Sequence, residues 1–251
     1  STTADTAGGT VVLESRGNLE LASNGTITTT GNGAAAGGEV YLHNIATTAG
    51  TITLGTGITA KGGATNDAAS DGAVVTVFNE NGAIAVNSTI DVSKGAALGA
   101  DGAIQLQATG DITDGASGLL TGNTEGKLLA YSTGGSVTLD LTAGHQMATV
   151  SLKSDKTGGA GTLRYYDADA LTLATAGGAG SSLAGPAGTA ASTVAATTTG
   201  AKTVAGAANG AIVIRAGNGA AGALTVNEAI NTTSTTADTA GGTVVLESRG
   251  N

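Results

Sequence analysis

The chain has no cysteine, no tryptophan, one proline, one methionine and one phenylalanine among its 251 residues. Without cysteine there is no disulfide framework and no thiolate metal site. With aromatics at 2% of residues, the large anchors that fill β-sandwich cores are missing. Charge is sparse as well, at 12% of residues, about half the usual share. The net charge is −9, and the ten Lys and Arg residues are dispersed. A phosphate-binding surface needs them clustered, so nucleic acid is excluded as a partner. No apolar run approaches the ~20 residues of a membrane span. Ser1 opens no secretory signal, as expected if it lies inside a longer array.

Glycine is abundant instead, at 43 residues, with Ala, Thr and Val supplying most of the rest. The segment STTADTAGGTVVLESRGN runs from Ser1 to Asn18 and returns unchanged from Ser234 to Asn251, an offset of 233 residues. Chance does not produce an eighteen-residue identity. The expectation is that 1–233 is one period of a tandem array and that 234–251 opens the next.

A shorter rhythm runs inside this period. Alternating β-type runs follow Gly9 (GTVVL), Gly38 (GEVYL), Gly72 (GAVVTV), Gly102 (GAIQL), Gly126 (GKLLA), Gly161 (GTLRY), Gly210 (GAIVI) and Gly242 (GTVVL), at spacings between 24 and 49 residues. A second run follows each of the first seven: NLEL at Asn18, TITL at Thr51, AIAV at Ala83, DIT at Asp111, SVTLDL at Ser136, ALTL at Ala170 and ALTV at Ala223. A third run usually comes next, at Thr26, Gly57, Thr89, Gly118, Thr149 and Ala229. In the unit from Gly161 the third run falls near Val194 or Val204, and the stretch 174–208 around Pro186 reads as a long loop or insertion.

Three short strands per unit, joined by Gly- and Asn-rich turns, predict an all-β fold: a parallel β-helix, or β-solenoid, with about seven coils per 233-residue period. The crossover rule for parallel strands makes it right-handed. One coil cannot bury its apolar side alone, so coils stack on a shared axial core. Alternation points Val11, Leu13, Ile104, Leu106, Ile212 and Ile214 inward on the first face, Leu19, Ile52, Ile84 and Leu171 on the second, and Ile27, Ile58 and Ile90 on the third. An array of antiparallel β-sandwich domains is the rival. It lacks support from two-residue hairpin signals and from aromatic anchors.

The outward positions give one site-level expectation. On the first face they include Val12, Tyr41, Leu129, Val213 and Val245, an apolar stripe suited to lateral association between solenoids. A loop folded over that face explains the stripe equally well. On the second face Thr53, Thr113, Thr138, Thr172 and Thr225 form a column interrupted by Glu20 and Ala85. Such a column could order water as ice-binding solenoids do, but threonine is also simply a good exposed-strand residue.

No catalytic, cofactor-binding or metal-binding residue emerges. His43 and His145 each lack a second histidine at ligand spacing. The periodic GGxGxDx pattern of calcium-binding solenoids is absent. Glu20, Asp91, Asp140 and Glu228 fall on different coils and mostly on different faces, whereas a carbohydrate-cleaving β-helix needs acids stacked on one face. No nucleophile elbow or phosphate loop is found.

The phrases GNLEL, GTITL, GDIT, GSVTL and GALTV, paired with GGTVVL, GGEVYL and GAIVI, resemble the repeats of filamentous haemagglutinin-like exoproteins and other giant repetitive bacterial surface proteins. The resemblance covers most of the chain and is one of composition and rhythm. It implies a right-handed β-helical shaft at the bacterial cell surface and no particular site residues. The sequence reading is therefore a non-enzymatic, extracellular fibre or adhesin shaft without cofactors. Its partners would be copies of itself, along the axis or laterally, and a surface receptor or glycan. A carbohydrate-binding or carbohydrate-active module is the alternative, and an ice-binding solenoid a third reading.

Overall fold

The computed structural model describes residues 5–45, 47–156, 159–174, 176, 201–203, 210–218, 221–233 and 240–249. Apart from one isolated antiparallel bridge, Thr6–Asn32, every described strand pairing is parallel. That excludes the sandwich and gives a parallel β-solenoid. Its described strands lie in three sheets, of ten, eight and four strands. Among the described residues there is no helix.

The chain visits the sheets in rotation. Val11–Ser15 is on the first sheet, Leu19–Leu21 on the second and Ile27–Thr28 on the third. The next rung repeats the order with Val40–Asn44, Ile52–Leu54 and Ile58–Thr59. Side chains alternate across each strand. One member of each pair therefore falls on a vertical column of register partners inside the solenoid. Val11, Val40, Val75, Ile104, Leu128 and Val150 form one such column on the first sheet. Leu19, Ile52, Ile84, Ile112, Val137, Leu163 and Ile212 form its counterpart on the second. Ile27, Ile58, Ile90 and Leu120 fill the third. The interior members of these columns are fully buried and belong to one continuous core. Each buried aliphatic side chain contributes about 1.5–3 kcal/mol. Branched chains stacked on their own kind lose little rotamer freedom in doing so.

Polar side chains fix the corner after the first sheet. Asn79 is fully buried. Its amide donates to the carbonyls of Gly50 (2.9 Å) and Ala83 (2.7 Å), and its oxygen accepts from Asn44 Nδ2 and the Asn81 N–H, both at 3.2 Å. Lower in the same column Ser132 and Ser154 donate to the Gly110 and Gly135 carbonyls. Stacked amides and hydroxyls thus satisfy carbonyls that the turn would otherwise bury unpaired.

The rotation departs from the sequence expectation after Val137–Leu139. The run at Thr149 was expected on the third face. Instead Thr149–Ser154 pairs with Lys127–Ser132 on the first sheet. The third face of this coil is a bridge-length touch: Gln146 pairs with Thr121, and His145 with Asp167. Gly144, at φ +82°, makes the tight entry to it. Every later described run stands on a face other than the one expected. Leu163–Tyr166, Ile212–Ala216 and Val244–Ser248, expected on the first face, lie on the second. Leu171–Leu173, Leu224–Val226 and Ile230–Asn231 lie on the first. An HQM corner carries no alternating pattern, so nothing in the run-by-run reading marked the coil as already closed.

In the next rung the first-sheet position is split. Leu171–Leu173 continues one half of Thr149–Ser154, and Ala201–Thr203 continues the other. The expected loop 174–208 falls between and around these pieces, and most of it, including Val194 and Val204, lies outside the described residues.

Candidate functional site

The five residues expected to form an association face do not share one. Val12, Tyr41 and Leu129 lie on the first sheet, while Val213 and Val245 lie on the second. Tyr41 is 1% exposed and Leu129 is 0% exposed within the single chain. Leu129 packs with Phe78 in a small apolar cluster of its own. Register partners Thr76, Gln105 and Ser151 in the same outward column are buried as well. This stretch of the column, from Tyr41 to Ser151, is buried within the single chain, so Tyr41 and Leu129 have no surface to offer a neighbour. Val12, Val213 and Val245 are half-buried. The threonine column is broken by the same displacement: Thr53, Thr113 and Thr138 share the second sheet, but Thr172 and Thr225 stand on the first.

The displacement brings other residues together. On the second sheet Asp114, Asp140, Arg164 with Tyr166, Arg215 and Glu247 occupy five successive rungs. The Asp140 carboxylate lies 3.0 Å from Arg164 Nη2, which also donates to the Tyr166 hydroxyl at 2.8 Å. The Arg215 guanidinium sits 4.2 Å over the Tyr166 ring and donates to Glu247 at 2.5 Å. Sequence reasoning missed this ladder because it placed Arg164 on the first face. The signal available was the order of Asp140, Arg164, Arg215 and Glu247 along the chain, two acids flanking two arginines on successive runs.

A cleft of about 560 Å³ opens at the upper end of this ladder, lined by Asp114, Gly115, Ala116, Asp140, Leu141, Thr142 and Ala143. The Asp114 carboxylate is 3% exposed and accepts from the N–H groups of Asp140 (3.2 Å) and Leu141 (2.8 Å). Behind it His145 is fully buried. The Leu120 N–H donates to its Nδ1 at 3.2 Å, which leaves the ring proton on Nε2. Nε2 faces Asp114 Oδ2 at 3.2 Å, outside good hydrogen-bond alignment. The ring stacks on Tyr165 at 5.3 Å. Tyr165 donates to Asp167 Oδ2 at 2.8 Å, and Asp167 also accepts from the N–H groups of Met147 and Asp169. Burial raises the Asp167 carboxyl to about 6 despite these donors. Burial, reinforced by Asp167, pushes the Tyr165 hydroxyl well above its ordinary value.

Glycoside chemistry needs one carboxyl held as an acid and a facing carboxylate free to act. Here both oxygens of Asp114 are held by backbone N–H groups, and Asp140 is held by Arg164. The buried Asp167 faces Tyr165 and main chain rather than the cleft lining. Chemically the cluster closes the irregular corner at His145 and ties neighbouring rungs by charge.

The second histidine plays a similar part on the first sheet. His43 is 2% exposed and lies 3.5 Å from Glu14 and 3.0 Å from Glu80, on the rungs either side, with its ring stacked on Phe78 at 5.1 Å. Among the described residues no group of three or more His, Asp or Glu side chains is placed to hold a metal ion. No family model matches the chain, and neither a curated protein nor a solved structure matches it.

Proposed function

We propose that this chain is a structural segment of an extracellular or cell-surface fibre, the shaft of an adhesin or filament, akin to the filamentous haemagglutinin-like proteins its phrases resemble. The observation that carries this reading is the union of an unbroken axial core with an exact sequence duplication. Three parallel sheets share one aliphatic interior, and the strand that opens the chain returns intact 233 residues later as another rung of the same solenoid. A solenoid of this kind transmits load through backbone ladders whose stability is a sum of rung and neighbour terms. Electron microscopy of native material tests it. Long filaments about as wide as one solenoid support the shaft, and isolated globular particles end it.

The second reading, a carbohydrate-binding or carbohydrate-active module, draws on the Asp114–Asp140–Arg164 cleft. Reducing-sugar release or glycan binding that disappears in Asp140→Ala would favour it over the shaft.

A further inference from the structure

The two identical copies of GGTVVLES stand on different sheets. Val11–Ser15 is on the first rung of the first sheet, and Val244–Ser248 is on the eighth rung of the second. We propose that the 233-residue period advances the solenoid by seven rungs and one face. A longer chain of this sequence would then present each outward residue on the next face in each successive period, regaining its starting face after three.

The strand itself is built to accept this. In its first copy it pairs with Val40–Asn44, matching Val11 with Val40, Leu13 with Leu42 and Glu14 with His43. In its second copy it pairs with Ile212–Ala216, matching Ile212 with Val244, Ile214 with Leu246 and Arg215 with Glu247. The two neighbours lie on opposite edges of the strand, since one follows it in the chain and the other precedes it. Each supplies aliphatics to the inward positions. Each also supplies a nitrogen partner to the same glutamate: His43 at 3.5 Å from Glu14, and Arg215 at 2.5 Å from Glu247. A strand of the Val40–Asn44 sequence therefore fits the open edge of Val244–Ser248 in the same register. The seam needs no adjustment, although the sheet has changed.

The cause is the short fifth coil. Closure at His145, held by the Gln146–Thr121 and His145–Asp167 bridges, starts the next rung one run early. Twenty-two rungs would then complete three periods, an identity repeat of about 105 Å with a near-repeat of about 35 Å at the usual strand spacing. A neighbour or ligand that reads one patch would meet it wound around the shaft, never along one side.

The chain has no cysteine, so engineered pairs report faces directly. In-register parallel neighbours sit within disulfide range. Thr138→Cys with Arg164→Cys, and separately Val213→Cys with Val245→Cys, should oxidise to near-complete loss of free thiol, seen by mass spectrometry of the unreduced monomer. Leu129→Cys with Arg164→Cys should retain its thiols. A disulfide at 129–164, or failure at 138–164, overturns the displacement, and failure at 213–245 overturns the pairing of the second copy with Ile212–Ala216. The array rests on the fibre reading, but the face of the second copy does not, so a chain that forms no filament still reports it. In native filaments, a label on one residue per period should return to the same side at every third period. Return at every period would overturn the proposal.

Discussion

Asn79 offers the sharpest test of how the corners hold. Replacing it with alanine removes two donated bonds, to Gly50 and Ala83, and two accepted ones, from Asn44 and Asn81. The residue is fully buried, and its partner Asn44 is buried with it. At roughly 1 kcal/mol net per bond, with part of the loss recovered where turn groups can reach water, the cost is about 3 kcal/mol. Asn79→Asp is the more diagnostic change. A carboxylate keeps both acceptor contacts but turns an oxygen toward the Gly50 and Ala83 carbonyls, where two donors stood. At neutral pH it should destabilise more than alanine, since a buried unpaired charge costs more than a buried gap. Near pH 4 the difference should narrow as the side chain protonates. The assay is urea denaturation followed by circular dichroism at both pH values, comparing midpoints at constant slope. If Asn79→Ala costs under about 1 kcal/mol, or aspartate is tolerated as well as alanine at pH 7, the ladder does not hold the corner.

Asp167 predicts a pH dependence. Its folded pKa, about 6 against an ordinary 3.8, means that the fold binds the proton more tightly than the unfolded chain. Its contribution to stability is full below about pH 4 and is lost as pH rises through 6, a change on the order of 3 kcal/mol. Asp167→Asn should flatten that part of the stability–pH curve in chemical denaturation, and an unchanged slope would refute the assignment. Two glycines should behave oppositely on replacement by alanine. At Gly82, with φ +149°, a Cβ would overlap the Gly50 carbonyl of the neighbouring rung, so the variant should lose several degrees of melting temperature or fail to fold. At Gly9 a Cβ meets nothing within 4 Å, and the melting temperature should stay within a degree or two.

The sequence could not resolve some of the buried polar groups for a physical reason. His43 and His145 were read as isolated because their partners are distant in sequence: Glu14 and Glu80 for one, Asp114 for the other. In a solenoid such partners sit one rung away, and rung length varies from coil to coil. The Asp140–Arg164 pair was hidden in the same way. The outward stripe on the first sheet looked like a surface because alternation says only that a side chain leaves the core. It does not say whether something else encloses it, as at Tyr41 and Leu129.

What the sequence determined by itself was the solenoid: strands of alternating aliphatics, recurring after glycine, with too few aromatics for any other β core. Period-two alternation is a local property of the backbone, so Val40, Leu42, Ile52 and Leu54 declare their inward direction without help from the rest of the chain. Which sheet a run joins is not local. It depends on how many corners precede it, and one corner, at His145–Met147, is made by a bridge and a buried imidazole rather than by a strand. Only the tertiary structure decided that count, and so only it decided that two identical segments stand a face apart.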